Sequence, residues 1–385
     1  MRVLVATLPL WGHLRPLLPL ASALVSRGHE VMWATGPDAC ARVEGLGFRA
    51  VPAGLTEEDF NTARDAGQRR FAHLPPEERP NWLAPWIFGS GRAGPMLHDL
   101  RELVAEWPPE LVVHDQAEYA SAIVAGTLGI PHVSHGFGDV LPTVRVARTG
   151  DDVAGLWRAA GLTPRPYGGS YDHLYLDIYP PGLAMSPRDH ISRRQLIRPV
   201  PPFGAVPGPL PGPLRHLTDR SLVYATLGTV FNDPRLLASV VGAVASLPVS
   251  VVATVGFDID PAAYGDQPEH VHLARFVPQD DLLPHCAAVV SHGGSGTFLA
   301  ALAHGLPQVL VPQGADQFLN AAAAERAGVA IVLRGDQQDP DRIRQAVSIV
   351  LEDQGFAARA ALVAEEIAAM PSADQVVDRL DDLLR

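Results

Sequence analysis

Short apolar runs alternate with stretches of helical spacing along almost the whole chain, and that alternation predicts an α/β protein. Residues 3–8 form an apolar run of the kind buried on both faces of a parallel sheet. Leu17, Leu20, Ala21, Leu24 and Val25 then share one helical face, and Gly28 is placed to end that helix in a left-handed conformation. Residues 30–35 supply the next strand and complete a βαβ unit with an expected right-handed crossover. A further buried strand is read at 111–114, followed by a helix at 117–128 and a strand at His132-Val133-Ser134. The rhythm restarts with strands at 221–226, 249–255, 271–275, 288–291 and 308–311, a helix at 236–247, and a mostly helical tail over 339–385.

Between the two halves stand Pro199, Pro201, Pro202, Pro207, Pro209, Pro211 and Pro213, which exclude regular helix and favour an extended connector. Two alternating halves joined in this way predict two doubly wound domains facing one another. Ligands in such sheets sit beyond the carboxyl ends of the strands, so a cleft between the domains is the expected site.

Composition narrows the chemistry. The chain has 385 residues, long enough for two domains, and 42 acidic against 30 basic residues give a formal charge of −12. A surface of that sign does not suit nucleic acid or an anionic membrane as the main partner. There is no lysine; all 30 basic residues are arginine. Schiff-base, pyridoxal and Walker-type chemistry are thereby excluded, and an anionic ligand must be held by backbone N–H groups, Arg, His or hydroxyls. Cys40 and Cys286 are too isolated for a disulfide framework or zinc knuckle, which favours a reducing, cytoplasmic setting. The first residues imitate a secretory signal, but His13, Arg15, Pro16 and Pro19 interrupt it. No membrane-spanning stretch is expected.

The strongest motif is His292-Gly293-Gly294-Ser295-Gly296-Thr297, placed between the apolar residues 288–291 and a helix-like run. Strand, glycine loop and helix start make an anion site: the glycines admit close approach, and the first helical N–H groups and the helix dipole favour negative charge. A second strand, 308–311, leads to Asp316-Gln317, polar groups suited to a sugar's neighbouring hydroxyls and equally readable as a helix cap before Phe318.

Together with Phe276-Val277-Pro278-Gln279 and Leu283-Pro284-His285, these segments resemble the donor-site signature of family 1 nucleotide-sugar-dependent glycosyltransferases of the GT-B fold. The branch it is most similar to is the bacterial one that decorates macrolides, enediynes and other natural products, an antibiotic-biosynthesis role. Gly12-His13-Leu14-Arg15-Pro16 and Arg27-Gly28-His29-Glu30-Val31 resemble that family's first βαβ unit. The resemblance implies two Rossmann-like domains: an acceptor-binding domain over 1–198, a linker over 199–217 and a donor-binding domain over 218–370. Residues 371–385 are implied to form a helix returning to the first domain.

It also implies roles. Gln279 and the Phe276-Val277 backbone meet the nucleobase; His292, Gly294, Ser295, Gly296 and Thr297 hold the diphosphate; Asp316 and Gln317 hold the sugar; Thr229 closes over the phosphates. Phe276 stands where plant relatives have a Trp. Ala300 stands where many members place a ribose-binding Glu, so a thymidine-diphosphate sugar is expected over a uridine one.

His13 follows the first strand and Asp115 follows the strand 111–114, so both lie at strand ends. An imidazole accepts a hydroxyl proton near neutrality, and a carboxylate on its far nitrogen fixes the tautomer and stabilises the imidazolium. The resemblance assigns this base–orienter pair to His13 and Asp115; singly, they read equally as a loop histidine and a helix cap. Phe60, Phe71, Trp82, Trp86 and Phe88 fall between 57 and 95, a stretch whose four prolines after position 74 make it more loop than helix. With Trp11 and Phe137, these aromatics either line an aglycone pocket or pin a long loop.

His270 and His272 share a strand face without a third ligand, and Asp258-Ile259-Asp260 and Asp339-Pro340-Asp341 read as solvated turns, so no metal is expected. The expected activity is inverting, metal-independent transfer of a sugar from a nucleoside diphosphate to a small natural product, without a separate cofactor. The alternatives are a sugar-nucleotide epimerase of similar fold and a non-catalytic nucleotide-binding helper.

Overall fold

The computed structural model describes residues 1–75, 78–199, 210, 212–217, 219–228, 233–257 and 259–384. It divides into two compact units. One comprises Met1–Ile178, Ser186–Ile197 and Pro371–Arg385; the other comprises Tyr179–Met185 and Arg198–Met370.

The first unit is built on a seven-stranded sheet in the order β3-β2-β1-β4-β5-β6-β7. Its strands are β1 (Arg2–Ala6), β2 (Glu30–Thr35), β3 (Arg49–Pro52), β4 (Leu111–Asp115), β5 (His132–His135), β6 (Leu174–Asp177) and β7 (Arg194–Leu196). The second has a six-stranded sheet in the order β10-β9-β8-β11-β12-β13. Its strands are β8 (Leu222–Thr226), β9 (Ser250–Thr254), β10 (Val271–Ala274), β11 (Cys286–Ser291), β12 (Gln308–Leu310) and β13 (Ala330–Val332). Pairing is parallel in both: Val3 lies beside Val31 and Leu111, and Tyr224 beside Val252 and Val289. Helices cover the sheets, so the central strands are buried on both faces, which is why they read as continuous apolar runs.

Three expectations need correction. Among the described residues of 57–95 most are helical, in Glu57–Arg70, Pro80–Phe88 and the start of Ser90–Glu106. Thr56 caps the first helix by accepting from Asp59 N, with Glu57, Glu58 and Asp59 in its first turn and Arg69 and Arg70 in its last. Pro80 begins its helix, where a missing N–H costs nothing, while Pro85 and Pro95 are tolerated inside theirs. Residues 179–185 group with the second unit and not with the rest of 1–198, because Tyr179 Oη donates to Asn320 Oδ1 (2.9 Å) and Gly182 N to Glu366 Oε1 (2.7 Å). His270 precedes β10, and its Nε2 pairs with Ala245 O (3.0 Å), so it does not share a strand face with His272.

Most of the proline-rich connector, residues 200–209 and 211, lies outside the described residues. The segment from Pro371 belongs to the first unit: Ser372 and Gln375 form a capping box, and Arg27 reaches Asp374 (3.0 Å) and Asp378 (2.6 Å). Among the described residues no helix is long and apolar enough to cross a membrane.

Candidate functional site

Each sheet reverses its order of strand addition once. From β1 the chain runs outward to β2 and β3, then returns to lay β4 on the other side of β1; from β8 it does the same with β9, β10 and β11. Crevices open at the carboxyl ends of strands flanking such a reversal.

In the first unit that crevice holds His13 and Asp115. His13 sits in the helical turn Trp11–Leu14 after β1, its amide donating to Leu10 O (2.9 Å). Asp115 is the last residue of β4. Although 102 positions apart, His13 Nδ1 and Asp115 Oδ1 lie 3.2 Å from one another. The carboxylate is fully buried and held from three sides, since Oδ1 also accepts from Ala117 N (2.8 Å) and Oδ2 from Leu8 N (2.9 Å). Burial alone raises its pKa; the His13 charge and hydrogen bond and the two amides outweigh it and hold the carboxyl below its ordinary value. The ring of Phe137 lies 4.3 Å from that of His13 between centroids, and Phe88 at 6.1 Å. A carboxylate on Nδ1 fixes the tautomer of the ring and makes Nε2 the nitrogen able to accept a proton.

In the second unit the corresponding crevice is made of backbone. His292 follows β11, and Gly293 (φ +83°) turns the chain into the helix Ser295–Ala303. The His292 ring lies between two glycines: a Cβ on Gly228 (φ +79°) would come within 2.7 Å of it, and one on Gly294 within 2.5 Å. Burial pushes this histidine down to about 4, and its Nδ1 has no hydrogen-bond partner. The ring is thus neutral at pH 7, with a polar edge unused.

The Asp316 carboxylate closes onto the same helix start. Its Oδ2 accepts from Ser295 N (3.1 Å), Ser295 Oγ (2.6 Å) and Asn320 Nδ2 (3.3 Å). Asp316 stands at the cap position of the helix Gln317–Ala327 but makes no side-chain cap there. Gln317 Oε1 accepts from Gln313 N (2.7 Å) and Gly314 N (3.0 Å), which steadies a loop whose Ala315 is held at φ +53°. Gln279 donates to Thr297 Oγ1 (3.0 Å). Beneath it, Tyr224, Thr254 and Thr226 form a buried chain of hydroxyls at 2.9 and 2.8 Å. Val277 is buried; Phe276 is exposed and stacks on Phe257 (5.4 Å, 20°). Gly296 is exposed in the first turn of Ser295–Ala303, and Thr229 lies outside the described residues.

The acceptor candidates separate. Phe137 stands at His13, and Trp11 begins the same helical turn with Arg42 5.9 Å from its ring. Phe60 is buried beneath Arg92, whose guanidinium carbon is 4.1 Å from the ring centroid. Trp82 and Trp86 pack with Phe71, Arg148 and Arg70, an arrangement that ties the helices of residues 57–88 to Thr143–Ala159. Asp260 and Asp339 cap helical turns by accepting from Ala262 N and Arg342 N, while Asp258 lies outside the described residues. Sequence reasoning missed Phe257, although Val255-Gly256-Phe257 ends the strand beside β8, and Asn320, one helical turn after Asp316, whose Nδ2 also donates to Gly293 O (2.8 Å) and Ser295 Oγ (3.0 Å).

Residues 22–153 match the family model described as erythromycin biosynthesis protein CIII-like, N-terminal domain, and residues 238–383 match its C-terminal domain. The elloramycin glycosyltransferase ElmGT of Streptomyces olivaceus is 34% identical over 395 residues, covering 99% of this chain and 97% of that protein. The L-demethylnoviosyl transferase of Streptomyces niveus is 32% identical over 392 residues, again covering 99% and 97%. Among solved structures, the spinosyn rhamnosyltransferase SpnG complexed with thymidine diphosphate superposes with a TM-score of 0.83 at 27% identity, covering 99% of this chain and 100% of that one. Sheets, switch points, family models and relatives agree: the chain belongs to the erythromycin biosynthesis protein CIII-like family of natural-product glycosyltransferases and has their GT-B fold of two parallel-sheet α/β domains.

Proposed function

We propose that the chain transfers a deoxysugar, with inversion, from a thymidine-diphosphate donor to a hydroxyl of a small aglycone, with His13 as general base and Asp115 as its orienting partner. The observation that carries this reading is the 3.2 Å contact between His13 Nδ1 and Asp115 Oδ1 at the switch point of the first sheet. The acceptor O–H gives its proton to His13 Nε2 as its oxygen forms the new bond to the anomeric carbon. The bond from that carbon to the diphosphate breaks, and the electron pair leaves with the phosphate. Asp115, ionised by the hydrogen bonds it receives, balances the imidazolium.

The second unit takes the donor. The amides at the start of Ser295–Ala303 and the Thr297 hydroxyl offer the diphosphate neutral donors, so the reading assigns no metal and no lysine. Asp316 exchanges its bonds to Ser295 for sugar hydroxyls, while Gln317 keeps the loop in place. The stacked Phe257 and Phe276 offer a platform for the base, beside Gln279. Thymidine is favoured by the buried Ala300, which provides no carboxylate for a ribose 2′-hydroxyl. SpnG complexed with thymidine diphosphate and VinC in complex with DTDP support the same choice.

The test is transfer from dTDP-glucose or dTDP-rhamnose to a hydroxyanthraquinone, alongside calorimetric binding of thymidine diphosphate. His13→Ala is expected to lower transfer about 10³-fold or more with nucleotide affinity unchanged. Full transfer in that variant refutes the base, and equal turnover with UDP-sugars removes the thymidine preference.

A further inference from the structure

A recess in the first unit, beside the His13–Asp115 pair, carries a charge that the reaction above does not use. Its walls include Thr7, Leu8, Phe88, Arg92, Glu118 and Tyr119. Arg92, in the first turn of Ser90–Glu106, is 4% exposed, yet neither Nη1 nor Nη2 has a hydrogen-bond partner. One face of its guanidinium is covered by the Phe60 ring at 4.1 Å, which leaves the edge with the donors. Buried donors without acceptors are costly and rare, so an arginine in this state marks a place where acceptor atoms arrive from outside.

The surroundings limit what arrives. The Glu118 oxygens accept from Ala120 N (2.7 Å) and Ser121 N (3.0 Å), and neither accepts from Arg92 Nη1 or Nη2. Asp115 and Glu118 nevertheless oppose the Arg92 charge from nearby. An anionic ligand would meet those carboxylates; a neutral oxygen acceptor satisfies the guanidinium edge without adding charge. The remaining wall is apolar, with Ala53, Leu55, Ala93 and Met96, and the enclosed space of about 10 Å³ admits one oxygen-sized group while the ring that carries it stays outside. Phe88 lines the recess and also stands 6.1 Å from the His13 ring, so the two polar points share one wall.

We propose that Arg92 is an acceptor-recognition residue whose free Nη groups bind a neutral carbonyl oxygen of the aglycone, a ketone, quinone or lactone, while a hydroxyl of the same molecule lies at His13. The proposal rests on the reading of His13 as the base, and its test is kept separate from turnover. Two fluorescent probes of the same bicyclic outline are titrated into the full chain: 7-hydroxycoumarin, which has a lactone carbonyl, and 2-naphthol, which has none. The unaltered chain is expected to bind the coumarin about tenfold more tightly or better, the range for hydrogen bonds to a buried charged group. Arg92→Met is expected to bring the ratio to within about twofold, and Arg92→Lys, which keeps the charge and loses the fork, to lower it. His13→Ala is expected to keep it.

Equal affinity for the two probes in the unaltered chain overturns the proposal whether or not any variant folds. So does a preference that survives in a folded Arg92→Met chain, since a merely structural arginine shifts the melting temperature and leaves the ratio alone. If His13→Ala retains both transfer and the preference, the base assignment falls and the carbonyl site stands.

Discussion

The two sheets present the same topological feature, a reversal between a first strand and its later neighbour, and fill it in opposite ways. Between β1 and β4 the crevice holds side chains: a buried carboxylate bound by two amides and an imidazole. Between β8 and β11 it holds main chain, with Gly228 and Gly294 leaving room for one neutral histidine ring, and a helix start beyond it. A proton-transfer site needs a fixed partner in low dielectric, which only side chains brought from distant positions provide. An anion site needs close approach and many donors, which glycines and helix amides provide locally. The fold supplies two equivalent places, and the residues at the strand ends decide which chemistry each performs.

If that contrast is right, the first crevice is the more fragile towards isosteric change. Asp115→Asn keeps the shape but removes the charge, and its amide presents an N–H to one of the three donors that the carboxylate now accepts. The imidazole loses its fixed tautomer, and transfer is expected to fall about 10³-fold, by analogy with charge removal in other base–carboxylate pairs. Thymidine diphosphate affinity, set in the other unit, is expected to stay within about twofold. Single-turnover transfer with parallel calorimetry reads both, and a loss confined to affinity would reverse the roles assigned to the crevices.

The second crevice is fragile towards volume. In Gly294→Ala the new Cβ would lie 2.5 Å from His292 Nε2, so the ring or the loop that carries the Ser295 amide must move. The loss of one charge-assisted contact predicts about 100-fold weaker thymidine diphosphate binding. Transfer at saturating donor is expected to change much less, a KM effect against the kcat effect of Asp115→Asn. Unchanged affinity would show that this loop does not meet the phosphates.

The difference between the crevices also governs how legible each was. The glycine loop is contiguous, and its strand, glycines and helix start can be read from six residues in order. The His13–Asp115 pair spans 102 positions, so spacing alone left a loop histidine and a cap as good readings, and the family resemblance was needed to join them. Asp316 reads as a sugar ligand or a helix cap from its neighbours, and the bond of its carboxylate across 21 positions to Ser295 is a tertiary contact no local pattern contains. The prolines of residues 57–95 read as breakers in the sequence, although Pro80 only begins a helix. Arg92 was passed over, yet Arg92, Ala93, Met96, Leu97, Leu100 and Val104 form one buried stripe of their helix, and a charge on an apolar stripe was the available signal.

The smallest expected effect separates charge burial from catalysis in the first crevice. Burial pushes Glu118 up to about 7 from its ordinary 4.5, against the hydrogen bonds it accepts from Ser121 and Ala120. A carboxyl with a raised folded pKa binds its proton more tightly in the folded state, so its stabilising contribution is complete below 4.5 and is lost as pH rises through 7. Between pH 6 and pH 8 that loss amounts to about 1.4 kcal/mol. Buried histidines such as His135, pushed down to about 4 by burial, act in the opposite direction, destabilising the fold as pH falls below 6.5. The informative quantity is therefore the difference in unfolding free energy between the unaltered chain and Glu118→Gln, in which the histidines cancel. Glutamine cannot accept at both former oxygens, so the variant carries a constant offset, but only the slope is read. Relative to the unaltered chain, Glu118→Gln is expected to gain about 1.4 kcal/mol between pH 6 and pH 8, measured by urea unfolding. A flat difference over that interval would mean that Glu118 is ionised throughout, and that Arg92 faces two full negative charges.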